Sequence, residues 1–98
     1  MRIDKFLQIT GLIKRRTLAN EACKRGLVSV NGVVAKPTRE VAVEDVIDIH
    51  LARREISVKV LQEVSGSSLK KSVRHEYIEI LKDVAVKVDE LDDFRNDL

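Results

Sequence analysis

The sequence predicts an α+β fold: two N-terminal helices packed on a small, mostly antiparallel sheet of about four strands, followed by a C-terminal helix and tail. Three observations predict it. Apolar residues recur at helical spacing through the first 25 positions. From Val28 the period shortens to two, the spacing of half-buried strands. Turn-forming residues stand at the joints: Gly11, Gly26, Asn31-Gly32 and Lys36-Pro37.

Ile3, Phe6 and Leu7 fall at i, i+3 and i+4, a short amphipathic helix ended by Gly11. A second helix is predicted from about Arg15 to Arg25, stopped by Gly26, a residue suited to the left-handed position past a helix end. On it Leu18, Ala19, Ala22 and Cys23 share one face, while Arg16, Asn20 and Lys24 form an i, i+4, i+8 stripe beside it. Arg15 points toward the apolar side unless it lies before the first turn. Val28 and Val30 then face Val33 and Val34 across Asn31-Gly32, a strong type I′ hairpin signal because both turn positions need positive φ. Lys36-Pro37-Thr38-Arg39 reads as a loop. Val41 and Val43 lead to a turn at Glu44-Asp45. Ile47, Ile49 and Leu51 alternate with polar residues as one strand, and Ile56, Val58 and Val60 as the next, with Ala52-Arg53-Arg54 between them.

Ser65-Gly66-Ser67-Ser68 is linker-like. Beyond it Val73, Tyr77, Ile80, Leu81 and Val84 fit a helix, although Val84, Val86 and Val88 fit a strand as well. The expected organisation is therefore a domain over residues 1–64, a linker over 65–72, and a C-terminal helix with an acidic tail over 73–98.

Ninety-eight residues allow one compact domain and exclude a multidomain enzyme. The formal charge of +2 is uninformative until it is split by position. Residues 1–25 hold seven basic and two acidic groups, a net of +5; residues 26–61 balance; residues 62–98 carry −3. A basic head of this kind points toward a polyanion. Cys23 is the one cysteine, so no internal disulfide can form. No apolar run approaches the ~20 residues of a membrane span, and the N-terminal residues lack the apolar stretch of a signal peptide. A cytoplasmic protein without membrane contact is expected.

The run Arg2-Ile3-Asp4-Lys5-Phe6-Leu7, then Arg15-Arg16-Thr17-Leu18-Ala19, then Gly26-Leu27-Val28-Ser29-Val30-Asn31-Gly32, then Lys36-Pro37 and Val41 through Ile49, resembles the S4 RNA-binding domain family. The resemblance covers roughly residues 1–61 and rests on several separated motifs in the right order. It implies the S4-type fold. The short stand-alone members of the family, in ribosome quality control and in a heat-shock relative, are the most similar. That likeness implies a non-enzymatic factor that binds rRNA of the large ribosomal subunit carrying an obstructed peptidyl-tRNA. Such a factor contacts rRNA and tRNA and helps a tailing factor extend the stalled nascent chain. A monomer when free and no cofactor are expected. Two departures stand out: Arg15 where the family often has Ser, and Glu44-Asp45 where it often has Gly-Asp. The first adds charge and gives up a natural N-cap; the second leaves the geometry of that turn open.

The RNA-binding residues expected are Arg2, Lys5, Lys14, Arg15, Arg16, Asn20, Lys24 and Lys36. Guanidinium groups grip phosphate oxygens bidentately and lysines act as point charges. The bland alternative, a solvated helix face, is outweighed by seven cations against two acids together with the family resemblance. Arg39, in the same loop as Lys36, stays open between the RNA surface and an ordinary exposed turn, whereas Arg53 and Arg54 read as ordinary exposed groups. Asp4 is expected to cap or pair locally with Arg2 or Lys5. Phe6 and Cys23 read as core. Asp48 and His50 share a strand face, but a catalytic zinc site needs a third protein ligand, so no metal site is assigned. His75 reads as exposed. No nucleophile–base pair and no P-loop, GxSxG or HExxH pattern occurs, so no catalytic residue is assigned. The only aromatic residues are Phe6, Tyr77 and Phe94, which leaves the basic face without a stacking platform. Folded RNA read through its phosphates and shape is the expected target.

Other functions fit the same residues. A protein-interaction adaptor would use the acidic tail and C-terminal helix. A general rRNA- or tRNA-binding assembly factor would use the same head. A targeting fragment of an RNA-modifying enzyme would need a catalytic domain for which this chain has no room. The acidic tail is further expected to fold back on the head and weaken non-specific RNA binding.

Overall fold

The apolar periods build two layers, as the sequence predicts. The structure is a computed structural model that describes residues 1–66 and 69–85. Helices α1 (Ile3–Ile9) and α2 (Arg16–Lys24) pack together on one face of the sheet. The strands are β1 (Val28–Val30), β2 (Val33–Val34), β3 (Val46–His50), β4 (Arg54–Val60) and β5 (Ile78–Ala85), in the spatial order β2-β1-β3-β4-β5, every pair antiparallel. Ile3, Phe6, Leu7, Ala19 and Cys23 from the helices meet Val28, Val30, Ile47, Ile49, Ile56 and Val58 from the sheet in one core. The alternation along β3 and β4 sends Asp48, Ser57 and Lys59 to the other face.

The joints follow local chemistry. Gly26 takes φ +75 beyond α2, Leu27 N–H reaches Ala22 O at 3.0 Å and Gly26 N–H reaches Cys23 O at 3.0 Å, a Schellman ending. Asn31 (φ +52) and Gly32 (φ +83) close the two-residue hairpin that pairs Val30 with Val33. Asn31 does more than turn the chain. Its Nδ2 donates to Asp45 Oδ1 (3.0 Å), its Oδ1 accepts from Val46 N–H (2.9 Å), and Asp45 Oδ2 accepts from Ala42 N–H (2.8 Å). The hairpin is thereby tied to the turn at residues 42–45. The loop between them is pressed against the start of α1, where Ile3 N–H donates to Arg39 O at 2.7 Å and Asp4 N–H to Pro37 O at 3.4 Å.

One element differs from expectation. The helix predicted over residues 73–84 is not formed; a 3-10 turn (Arg74–Glu76) leads instead into β5, so the sheet has five strands rather than four. The apolar positions there satisfy both periods, and the neighbouring strand decides between them. β4 is seven residues long and would expose a row of unpaired N–H and C=O groups without β5 beside it. Ile78 is buried opposite Val60, whereas Ile80, Leu81 and Val84 stay largely exposed. Arg54 holds Asp83 bidentately (2.8 and 2.6 Å) and Lys82 reaches Glu55 (2.8 Å), which pins the register. The register shifts by one between Ser57 and Val58, a bulge that leaves Leu81 unopposed. The acidic end of the expected tail, and its fold-back onto the head, lie outside the described residues.

Glu44 occupies φ +80, a region unfavourable for any side chain with a Cβ, although its N–H is fixed to Val60 O at 2.8 Å. The substitution Glu44→Gly should stabilise the protein by about 0.5–1 kcal/mol, because release of strain exceeds the loss of the exposed ion pair to Lys59. Urea unfolding checks this: the midpoint should rise at unchanged slope, and a lower midpoint would refute the strain.

Candidate RNA interface

The basic head is organised by an acid. Asp4, in the first turn of α1, has a side chain only 2% exposed. Its Oδ2 accepts from Arg2 Nη2 at 3.0 Å and from Asn20 Nδ2 at 3.2 Å; its Oδ1 accepts from Lys5 N–H at 2.8 Å and lies 3.6 Å from Arg16 Nη2. Burial pushes the carboxyl pKa up, but the Asn20 amide, the Lys5 N–H and the Arg16 and Arg2 charges together hold it below the ordinary 3.8. The carboxylate stays ionised and joins α1 to α2 through side chains the second helix presents at i and i+4.

Both arginines keep an outward face. Arg2 is 43% and Arg16 48% exposed, so Asp4 takes one edge of each guanidinium and leaves other N–H donors to solvent. The two line a shallow cleft with Thr17 and Asn20. An adjoining cleft, sharing Arg2 and Asn20, runs to Lys24 on α2 and to Lys36, Pro37 and Thr38 in the loop. Arg2, Arg16, Asn20, Lys24 and Lys36 are thus brought together, three of them by helical spacing and two by the loop held against α1. No ion pair to Lys24 or Lys36 forms among the described residues.

The other expected residues sit elsewhere. Arg15 is the N-cap of α2, extended (φ −122, ψ 138), exposed and without a side-chain cap bond, which answers whether it lies before the first turn. Lys5 is exposed on α1 but lines neither cleft; its backbone N–H serves Asp4. Lys14 lines a different cleft, with Lys71, Arg74 and the Arg54–Asp83 pair. Cys23 forms part of the floor of the second cleft, and burial, with the Asp4 charge, pushes its thiol up to about 11, so it is a neutral small hydrophobe. Sequence reasoning gave Asp4 a local role and missed its reach to α2. The signal was present in the stripe itself, since Arg16 and Asn20 both need an acceptor if they lean on α1.

The model of the S4 domain matches residues 1–47. The RQC P-site tRNA stabilizing factor of Helicobacter pylori strain J99 is 44% identical over 78 residues, covering 80% of this chain and 93% of that protein. The chain belongs to the S4 domain family. Proteins of the same name from Streptococcus pneumoniae (37% identity, 89% of this chain and 97% of that protein) and Bacillus subtilis (37%, 85% and 94%) are similar relatives. Among solved structures, the hypothetical protein HP1423 superposes with a TM-score of 0.72 at 39% identity, over 84% of this chain and 98% of that one. Heat Shock Protein 15 of Vibrio cholerae, described as trimeric, superposes with a TM-score of 0.74 at 24% identity, over 82% and 80%, and shares the S4 fold.

Replacing Asp4 by Asn should destabilise the protein by about 1–3 kcal/mol at neutral pH, since the arginine and amide donors lose a charged acceptor. Asp4 is more acidic in the folded chain than in the unfolded one. Its contribution is therefore whole above about pH 5 and is lost as pH falls below the unfolded value toward the lower folded one. Urea titrations of both proteins between pH 3 and 7 should show the gap closing at the acid end; a gap independent of pH would contradict the assignment.

Proposed function

We propose that this chain is a non-enzymatic RNA-binding factor of ribosome-associated quality control. It binds rRNA of the large ribosomal subunit beside an obstructed peptidyl-tRNA and holds that complex while a separate tailing factor extends the nascent chain. One observation carries the reading: four cations, Arg2, Arg16, Lys24 and Lys36, line two adjoining clefts whose one carboxylate, Asp4, is buried and already engaged by donors. Such a surface carries four positive charges against one negative and attracts phosphates. The names of the relatives, each an RQC P-site tRNA stabilizing factor, supply the context. Lys5, Lys14 and Arg15 extend the positive field around the clefts. The cytoplasm is the proposed compartment, and among the described residues no helix is long and apolar enough to cross a membrane.

Four to six phosphate contacts should give a slope of log K against log salt of about −3 to −5 in filter-binding titrations with an rRNA fragment. The double substitution Arg2→Ala, Arg16→Ala should flatten that slope by about two units and release the protein from pelleted large subunits. A wild-type slope near zero would sink the RNA reading. Retained co-sedimentation of the double variant would favour the protein-interaction adaptor.

A further inference from the structure

We propose that the cleft between α2 and residues 34–38 seats a single unstacked nucleotide of the bound RNA, its base on an aliphatic floor and its phosphates on the surrounding cations. The proposal rests on the RNA-binding reading above and extends it from backbone contact to a nucleotide pocket.

The cleft has a volume of about 590 Å³, within the ~300–1,000 Å³ of small-ligand sites. Its floor is apolar: Cys23 and Ala35 are nearly closed to solvent, and Val34 and Pro37 stand beside them. Val34, 61% exposed, adds open aliphatic surface beside that floor. Arg2, Lys24 and Lys36 also line the cleft, and no carboxylate does. Paired RNA offers phosphates but keeps its base faces inside the helix, so it would use the cations and leave the floor bare. A nucleotide drawn out of a stack, as in a loop or bulge, brings both parts at once. The sequence pointed away from base recognition because it shows no aromatic residue here; the fold supplies an aliphatic surface instead.

Asn20 gives the cleft a defined polar edge. A carboxylate can only accept, so Asp4 draws the amide Nδ2 toward itself at 3.2 Å and turns Oδ1 the other way. Asn20 Oδ1 accepts no hydrogen bond among the described residues, and no buried side-chain oxygen there lacks a partner, so Oδ1 keeps some contact with solvent on a residue that lines both clefts. An acceptor beside an apolar floor suits an N–H donor on the open edge of a base, the amino group of adenine, cytosine or guanine or the imide N3–H of uracil.

Five RNA hairpins, alike except for one bulged position carrying A, C, G, U or an abasic site, test this with the full chain by fluorescence anisotropy. The four bulges that carry a base should each bind about tenfold tighter than the abasic one. Val34→Gln, a change at an exposed edge-strand position, should remove that advantage and leave the abasic affinity unchanged. Equal affinity for all five with a normal salt slope would overturn the nucleotide seat and leave the RNA-binding function standing. A base advantage that survives Val34→Gln would also overturn it, by placing the base elsewhere. Loss of salt-dependent binding to every hairpin would overturn both.

Discussion

The buried carboxylate of Asp4 is the constraint on which the proposed binding face depends. Burying an ionised carboxylate with one partner costs more than the pair returns. Here four donors converge on it from three places: the residue before α1, the next backbone N–H, and two side chains of α2. The first turn of α1 adds the favourable end of the helix dipole. The same atoms serve the fold and the proposed RNA surface. The carboxylate draws Arg2, Arg16 and Asn20 to one line and offsets one of the two arginine charges.

A second network, outside the helices, sets the far wall of the cleft. Asn31 satisfies its own turn and reaches Asp45, Asp45 holds the Ala42 N–H, and the loop between these points supplies Lys36 and Pro37 beside α1. The hairpin that looks like a mere sheet connection is therefore a spacer. It ties the turn at residues 42–45 to the sheet, and the loop that carries Lys36 runs between them. Strain at Glu44 is tolerated where this network over-determines the turn.

Much of this was legible in the sequence, and unevenly so. The two helices, the Asn31-Gly32 hairpin and the strands β3 and β4 follow from spacing and turn chemistry alone, because those signals are local. The stripe Arg16, Asn20, Lys24 was legible for the same reason. β5 was not. Residues 78–85 carry apolar groups compatible with either period, and most of those groups are exposed in the fold, so burial gives them no period to obey. Their strand form follows from the open edge of β4, a long-range condition. Lys14 was grouped with the head by proximity in sequence, yet the turn after α1 carries it to the side where Lys71 and Arg74 lie. The reach of Asp4 across 16 residues to Asn20 was likewise hidden, since it needs the crossing of two helices to be known.

The clefts combine two kinds of cation, and the difference has consequences for recognition. Arg2 is hydrogen-bonded to Asp4 and Arg16 is ion-paired with it at 3.6 Å, so both are biased toward one side by a partner within the fold. Each presents a planar fork in a set direction, suited to fixing the register of a phosphate. Lys24 and Lys36 have no such anchor among the described residues and can follow a phosphate over several ångströms. Held arginines discriminate because a misplaced phosphate loses their directional bonds, whereas free lysines add attraction nearly regardless of geometry. Arg15 belongs with the second group: as the N-cap of α2 it satisfies no helix N–H with its side chain, so the helix forgoes a capping bond and gains an exposed charge. Shape selectivity should therefore reside at the Asp4 end of the surface and non-specific attraction at the lysine end, with the aliphatic floor between them where a base, rather than a phosphate, can decide the fit.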